Sequence, residues 1–134
     1  RILNRQAPMT VIAPHGGFIE AGTSALARAV AGRNHNLYDF QGLRTHKAKE
    51  LHVTSTRFRD EALISLLSSS AFAVSLHCMG DSGADLIWLG GLNQELKSLV
   101  LASLQAANFI VNPDSPKYRG ESPDNIVNLP RRSA

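Results

Sequence analysis

The stretch Ala13-Pro14-His15-Gly16-Gly17-Phe18-Ile19-Glu20-Ala21-Gly22-Thr23-Ser24 decides the fold. It follows an apolar run, Met9-Thr10-Val11-Ile12, that reads as a buried strand, and precedes Ala25-Leu26-Ala27-Arg28-Ala29-Val30, a run of strong helix formers. The junction therefore falls just beyond the carboxyl end of a strand, where open α/β sheets place their ligands. His15 offers an imidazole nitrogen and Glu20 a carboxylate, both good ligands for zinc. Gly16 and Gly17 let the backbone turn tightly enough to bring two residues five apart onto one centre. A catalytic zinc site usually needs a third protein ligand and keeps one position open. His77, in Val74-Ser75-Leu76-His77-Cys78-Met79-Gly80, stands at the end of a second strand-like run and is the candidate for that third place.

At 134 residues the chain fits one domain and is long enough to bury a core. The formal charge of +3 permits an anionic ligand. Its basic residues form no long block, which argues against nucleic acid as the main partner. The single cysteine, Cys78, excludes an internal disulfide. It neighbours His77, but adjacent strand side chains point to opposite faces, which disfavours both as ligands of one metal. No apolar run is long enough to cross a membrane. With no targeting segment visible, a cytoplasmic location is expected, and a released or secreted form is compatible with the sequence.

Taken in order, the helix from about Ser24 is expected to be capped by Thr23 or Ser24 and to end at Gly32. Leu37-Tyr38-Asp39-Phe40 reads as a short strand, and Gly42 to Glu50 as an exposed basic loop. Leu51-His52-Val53-Thr54-Ser55-Thr56, rich in β-branched residues, reads as a strand or an extended edge. Asp60 to Ser69 carries Ala62, Leu63, Leu66 and Leu67 at helical spacing. Ala71 to Leu76 has the pattern of a central strand covered on both faces. Asp81 to Asp85 reads as a turn, and Leu86 to Leu89 as a strand. Asn93 to Asn108 is a helix with a stripe of Leu96, Leu99, Val100 and Leu104, capped by Asn93. Phe109-Ile110-Val111 is a further strand, and the tail from Pro113 reads as an irregular loop outside the core. This alternation predicts an α/β domain of three layers, α/β/α, around a mixed, mostly parallel central sheet.

Several motifs in this order resemble the zinc-dependent poly-γ-glutamate hydrolases of phage and bacterial genomes, relatives of the zinc carboxypeptidase fold. They are Pro14-His15 with Gly17, Ile19-Glu20 and Gly22-Thr23; Leu37-Tyr38; Phe40-Gln41-Gly42; Leu51 to Thr56 with Phe58; Val74-Ser75 with His77; Gly90-Gly91-Leu92-Asn93; and Asp124-Asn125-Ile126-Val127-Asn128. The resemblance implies one zinc ion on His15, Glu20 and His77, the three residues reached from strand ends and ligand chemistry. It also implies an amide hydrolase acting on an anionic γ-glutamyl polymer or peptide. Family members continue past the Asp-Asn-Ile-Val-Asn motif to a Gln-Leu-Glu strand whose glutamate would be the general base and acid. No such strand occurs up to Ala134, so the catalytic base is expected beyond it. Residues 1–134 are read as a single zinc hydrolase-like domain without that strand, either a fragment or a naturally shortened relative. The family's Asp-Glu-Pro helix start is here Arg59-Asp60-Glu61, a change of little chemical consequence.

Candidate substrate-binding residues are His52, Arg57 and Asn125. His52 would line the cleft, orient a ligand or make a structural hydrogen bond. Arg57, like Arg119, Arg131 and Arg132, suits a carboxylate, although any one of them serves equally as a solvated surface charge. Asn125 and Asn128 offer amide donors, or a turn. Ser55 and Ser75 sit in no Gly-x-Ser-x-Gly elbow, which discounts serine chemistry. His35 and His46 lie in polar loops and receive no role, and Glu121 and Asp124 are weak substitutes for the missing base. Two other readings stand beside the hydrolase: an N-acyl amino-acid amidohydrolase on the same fold, and a non-catalytic zinc or nucleic-acid binding protein associated with phage.

Overall fold

The computed structural model describes residues 1–80 and 85–130. Most of the expected 81–85 turn, and Arg131 and Arg132, lie outside the described residues. The spine is strand β2, Met9–Gly17, almost wholly buried. On one side it pairs in parallel with β3, Asn36–Gly42, and on the other in parallel with β4, Phe72–Ser75. A short β1, Ile2–Leu3, joins β3 antiparallel, so the order is β1-β3-β2-β4 and the sheet is mixed but mostly parallel.

Strand alternation sorts the core into two halves. Val11 and Ala13 face Ala27 and Ala31 of helix α1, Thr23–Ala31, together with Leu37. Ile12 faces Leu63, Leu66 and Leu67 of helix α2, Glu61–Ser68, with Tyr38, Phe58 and Ala73. Since Val11 and Ile12 are neighbours in sequence, α1 and α2 cover opposite faces of the sheet, giving the expected three layers. Each fully buried leucine of α2 contributes about 1.5–3 kcal/mol of apolar transfer. Asp60 caps α2 by accepting the Leu63 amide at 3.1 Å, while Ala62 stays exposed.

Several local expectations change. Helix α1 is preceded by Gly22 at φ 92°, not capped by Thr23 or Ser24, whose hydroxyls are used elsewhere; the helix does stop before Gly32. Residues 51–56 form no strand. A 3₁₀ turn, Ala48–Leu51, leads into a loop held by the Ser55 carbonyl accepting from the Ile126 amide at 3.1 Å. Tertiary contacts override β-propensity there. Strand β4 is the last strand of the described sheet, not a central one, and Phe72 is exposed. The tail is not outside the core, because Ile126 is completely buried against α2 and β4.

Strand β5, Ile87–Trp88, and strand β6, Val111–Asn112, pair in parallel as a separate two-stranded sheet. Helix α3, Gln94–Ala106, is capped by Asn93, which accepts the Leu96 amide at 3.0 Å. Its apolar stripe is not buried among the described residues, and Leu99 is 62% exposed.

Candidate metal centre

His15 lies inside β2, because the strand continues past Ile12 to Gly17. Against β3, Ala13 pairs with Asp39 and Gly16 with Gln41, so β2 spends one extra residue at Pro14-His15. Proline cannot donate to a sheet ladder, and such bulges re-aim side chains. Beyond the bulge Gly17 takes φ 66° with the Gly42 carbonyl where a Cβ would sit. The chain then folds back: the Glu20 amide donates to the His15 carbonyl at 2.8 Å, and Thr23 Oγ1 donates to the Glu20 carbonyl at 2.8 Å. This return brings Glu20 beside His15.

A buried polar network braces the turn. Asp39, with no exposed surface, accepts Ser24 Oγ at 2.6 Å, Gln41 Nε2 at 2.7 Å and Arg28 Nη1 at 3.2 Å. Ser24 Oγ in turn accepts the Gly17 amide at 2.9 Å. Gly16 is obligatory in this packing, since a Cβ there would overlap Ser24 Oγ, Asp39 Oδ1 and the Phe40 carbonyl.

His77 arrives from the neighbouring strand. The parallel pairing of β2 with β4 aligns Ile12 with Ser75, and the Leu76 amide donates to the Ile12 carbonyl at 2.9 Å. Both strands therefore deliver their histidines to the same end of the sheet. His15 Nδ1 lies 2.8 Å from Glu20 Oε1 and 3.2 Å from His77 Nδ1, and His77 Nδ1 lies 3.5 Å from Glu20 Oε2. The Cys78 amide donates to Glu20 Oε2 at 2.9 Å. The carboxylate is therefore held from one side by backbone and from the other by imidazole.

The protonation pattern is informative. His15 Nε2 sits 2.7 Å from the Val53 carbonyl, which can only accept, so Nε2 carries hydrogen and the lone pair of a neutral ring is on Nδ1. That lone pair faces a carboxylate oxygen and a second imidazole nitrogen. A lone pair and a carboxylate oxygen 2.8 Å apart need a proton or a metal cation between them. Burial alone would lower the His15 pKa, but hydrogen bonds to Glu20 and the Val53 carbonyl and the Glu20 charge outweigh it and raise the value. Burial likewise opposes ionisation of Glu20, yet the His15 and His77 hydrogen bonds and the Cys78 amide hold its pKa far below the usual carboxylate range.

His52 completes the cluster from the loop after the 3₁₀ turn. Its ring stacks on His15 with centroids 3.9 Å apart, and its Nε2 lies 3.6 Å from Glu20 Oε1. Burial and the neighbouring imidazoles lower its pKa, although the Glu20 charge opposes them. One ligand atom each of His15, Glu20 and His52 falls within 4.8 Å of the others, so this trio is a second set able to hold a cation. His77 Nε2 is engaged by Ser75 Oγ at 3.0 Å and Ser55 Oγ at 3.3 Å. These two hydroxyls hold the His77 ring from its Nε2 side.

A cavity of about 460 Å³ opens beside Glu20 and His52, walled also by Lys49, Cys78 and Met79. Of the three residues expected to meet substrate, His52 lines it. Arg57 is exposed outside the lining, and Asn125 accepts the Val127 amide at 3.1 Å as the cap of a 3₁₀ turn. Sequence reasoning passed over Lys49, the Val53 carbonyl and the Cys78 amide. A basic loop and two backbone groups carry no motif, and only the folded return of the chain brings them to the site.

The model described as poly-gamma-glutamate hydrolase matches residues 1–134. Two Bacillus subtilis proteins are similar: the SPbeta prophage-derived protein YoqZ, 36% identical over 88% of this chain and 43% of its own length, and YndL, 34% identical over 91% and 48%. The chain thus spans about half the length of the curated relatives it matches. Among solved structures, a bacteriophage poly-gamma-glutamate hydrolase superposes with a TM-score of 0.92 at 36% identity, over 97% of this chain and 63% of that one. The zinc-free apo form of YndL superposes with a TM-score of 0.88 at 32% identity, over 97% and 64%. With residues 1–134 matched by the family model and 97% of the chain matched in fold, the chain belongs to the poly-gamma-glutamate hydrolase family.

Proposed function

We propose that this chain forms the zinc-binding half of an amide hydrolase that cleaves γ-glutamyl linkages, with His15, Glu20 and His77 as the metal ligands. The observation that carries the reading is the convergence of His15 Nδ1, His77 Nδ1 and the Glu20 carboxylate, at separations of 2.8, 3.2 and 3.5 Å. Tetrahedral zinc with bonds near 2.0–2.1 Å sets its ligands about 3.3 Å apart, so the donor set fits in chemistry and spacing. The Val53 carbonyl on His15 Nε2 and the serine hydroxyls on His77 Nε2 are the outer partners that metal-binding histidines ordinarily have. Family membership and the zinc-free description of apo YndL support the choice of metal. Zinc bound there would supply a Lewis acid that polarises the scissile carbonyl and lowers the pKa of water to about 7.

The chain's own residues do the rest. Glu20, held by the Cys78 amide, stays fixed as an ionised ligand. His52 stacks on His15, covers one side of the centre and stands at the cavity wall where substrate enters. Glu20 is the only carboxylate among the described residues lining the cavity, and its role is ligation. The base that takes the water proton is therefore assigned to the Gln-Leu-Glu segment expected from the family. The test is incubation of zinc-loaded protein with γ-polyglutamate, followed by size-exclusion chromatography. Shortening of the polymer that stops on chelation is expected of a protein carrying that segment. Polymer of unchanged length with that segment present and zinc fully bound would refute the substrate assignment.

A further inference from the structure

We propose that Lys49 is the carboxylate anchor of the cavity, reading the free α-carboxylate beside the scissile amide and so favouring γ-linked over α-linked glutamate. The inference rests on the substrate class proposed above and adds a residue to it.

Lys49 is the only lysine or arginine among the described residues lining the cavity. The neighbouring cations of its loop are occupied: Arg44 pairs with Glu50 at 2.9 Å, and Lys47 approaches the same carboxylate at 3.8 Å. Lys49 makes no ion pair among the described residues. Its backbone is nonetheless fixed, because Ala48 is buried and the Lys49 carbonyl accepts the His52 amide at 3.1 Å. One short turn thus carries both Lys49 and His52 to the wall of the cavity that Glu20 also lines.

The chemistry of the polymer requires a group of this kind. In a γ-linked chain every residue keeps its α-carboxylate, attached to the carbon that bears the amide nitrogen. A scissile amide positioned at the metal centre therefore carries an anion close by on the leaving-group side. Inside an α-linked chain the free carboxylate sits at the end of the side chain, two methylenes further out, and only the C-terminal residue keeps an α-carboxylate beside its amide nitrogen. A cation placed for the first geometry misses the second. An ammonium suits this task as a point charge on a flexible stem, and a cavity of this volume falls in the range that holds a short oligomer segment.

The experiment is isothermal titration of zinc-loaded protein with tetra-γ-glutamate and, separately, with α-linked tetraglutamate amidated at its C-terminus, for the wild type, Lys49→Ala and Lys49→Arg. Zinc affinity is measured on each by competition with a chelator. Lys49→Ala is expected to weaken the γ-linked oligomer about tenfold, with a much smaller effect on the α-linked one. Lys49→Arg should retain most of the affinity, and zinc binding should be unchanged throughout. Wild-type affinity for the γ-linked oligomer in Lys49→Ala, or equal losses for both linkages, would overturn the proposal. A wild type that holds zinc but binds neither oligomer would overturn it together with the substrate reading. Loss of γ-oligomer binding in Lys49→Ala of a protein that holds no zinc would uphold Lys49 and refute only the metal.

Discussion

Replacing Asp39 by Asn tests whether the bulge that aims His15 is held from below. The Asp39 carboxylate is completely buried and accepts from Ser24, Gln41 and Arg28. Asparagine keeps the shape but turns one acceptor oxygen into a donor. If the amide nitrogen faces Arg28 and Gln41, two donors oppose it; if it faces Ser24, the hydroxyl loses its acceptor while still receiving the Gly17 amide. Hydrogen bonds to charged groups contribute about 1.5–3 kcal/mol net, and loss of one partner leaves the other's desolvation uncompensated. The Arg28 side chain is 42% exposed, so its ion pair adds only about 0.2–1 kcal/mol. The expected loss is about 2–4 kcal/mol, a large share of the stability of a small domain. Urea unfolding should show the midpoint falling by about 1–2 M with the slope unchanged. A midpoint displaced by less than the equivalent of about 0.5 kcal/mol would refute the buttressing role.

Other expectations follow from neighbouring features. Gly16→Ala drives a methyl into Ser24, Asp39 and the Phe40 carbonyl, and should cost about 1–3 kcal/mol in thermal or chemical unfolding; a neutral effect would mean that the bulge is free to shift. With the His15 pKa raised, protons compete more strongly with zinc for that ring than for a free imidazole, whereas Glu20 is held ionised. Apparent zinc affinity should therefore fall as pH is lowered from 8 to 6 in a chelator competition, and a flat profile would remove His15 Nδ1 from the ligand set. Fusing a relative's Gln-Leu-Glu segment to residues 1–134 should accelerate γ-polyglutamate cleavage about 10²–10⁴-fold at matched zinc content. Equal rates would locate the base within residues 1–134.

The sheet and the metal candidates were legible because they rest on local chemistry. Apolar runs ending in His15 and His77 announce buried parallel strands, and the two glycines after His15 announce a tight return. The errors arose where tertiary contacts decide. Leu51 to Thr56 has the composition of a strand, but its backbone bonds go to His15 and Ile126, so it becomes the loop that carries His52 to the site. Ile126 looked isolated in a polar tail and is a core residue. Helix α3 has the periodicity of a buried helix, yet Leu99 is mostly exposed, because periodicity reports an apolar stripe and not what covers it. Helix α1 starts without a side-chain cap because Ser24 serves the Asp39 network and leaves Gly22 to turn the chain.

Zinc titration of four single variants tests the central claim most directly. His15→Ala, Glu20→Ala, His77→Ala and His52→Ala are each compared with the wild type by chelator competition, with stoichiometry measured by elemental analysis. One zinc per chain is expected, weakened at least about 100-fold by loss of His15, Glu20 or His77, and weakened much less by loss of His52. Retention of full affinity in His77→Ala with its loss in His52→Ala would place the metal on His15, Glu20 and His52 instead, and would contradict the assignment.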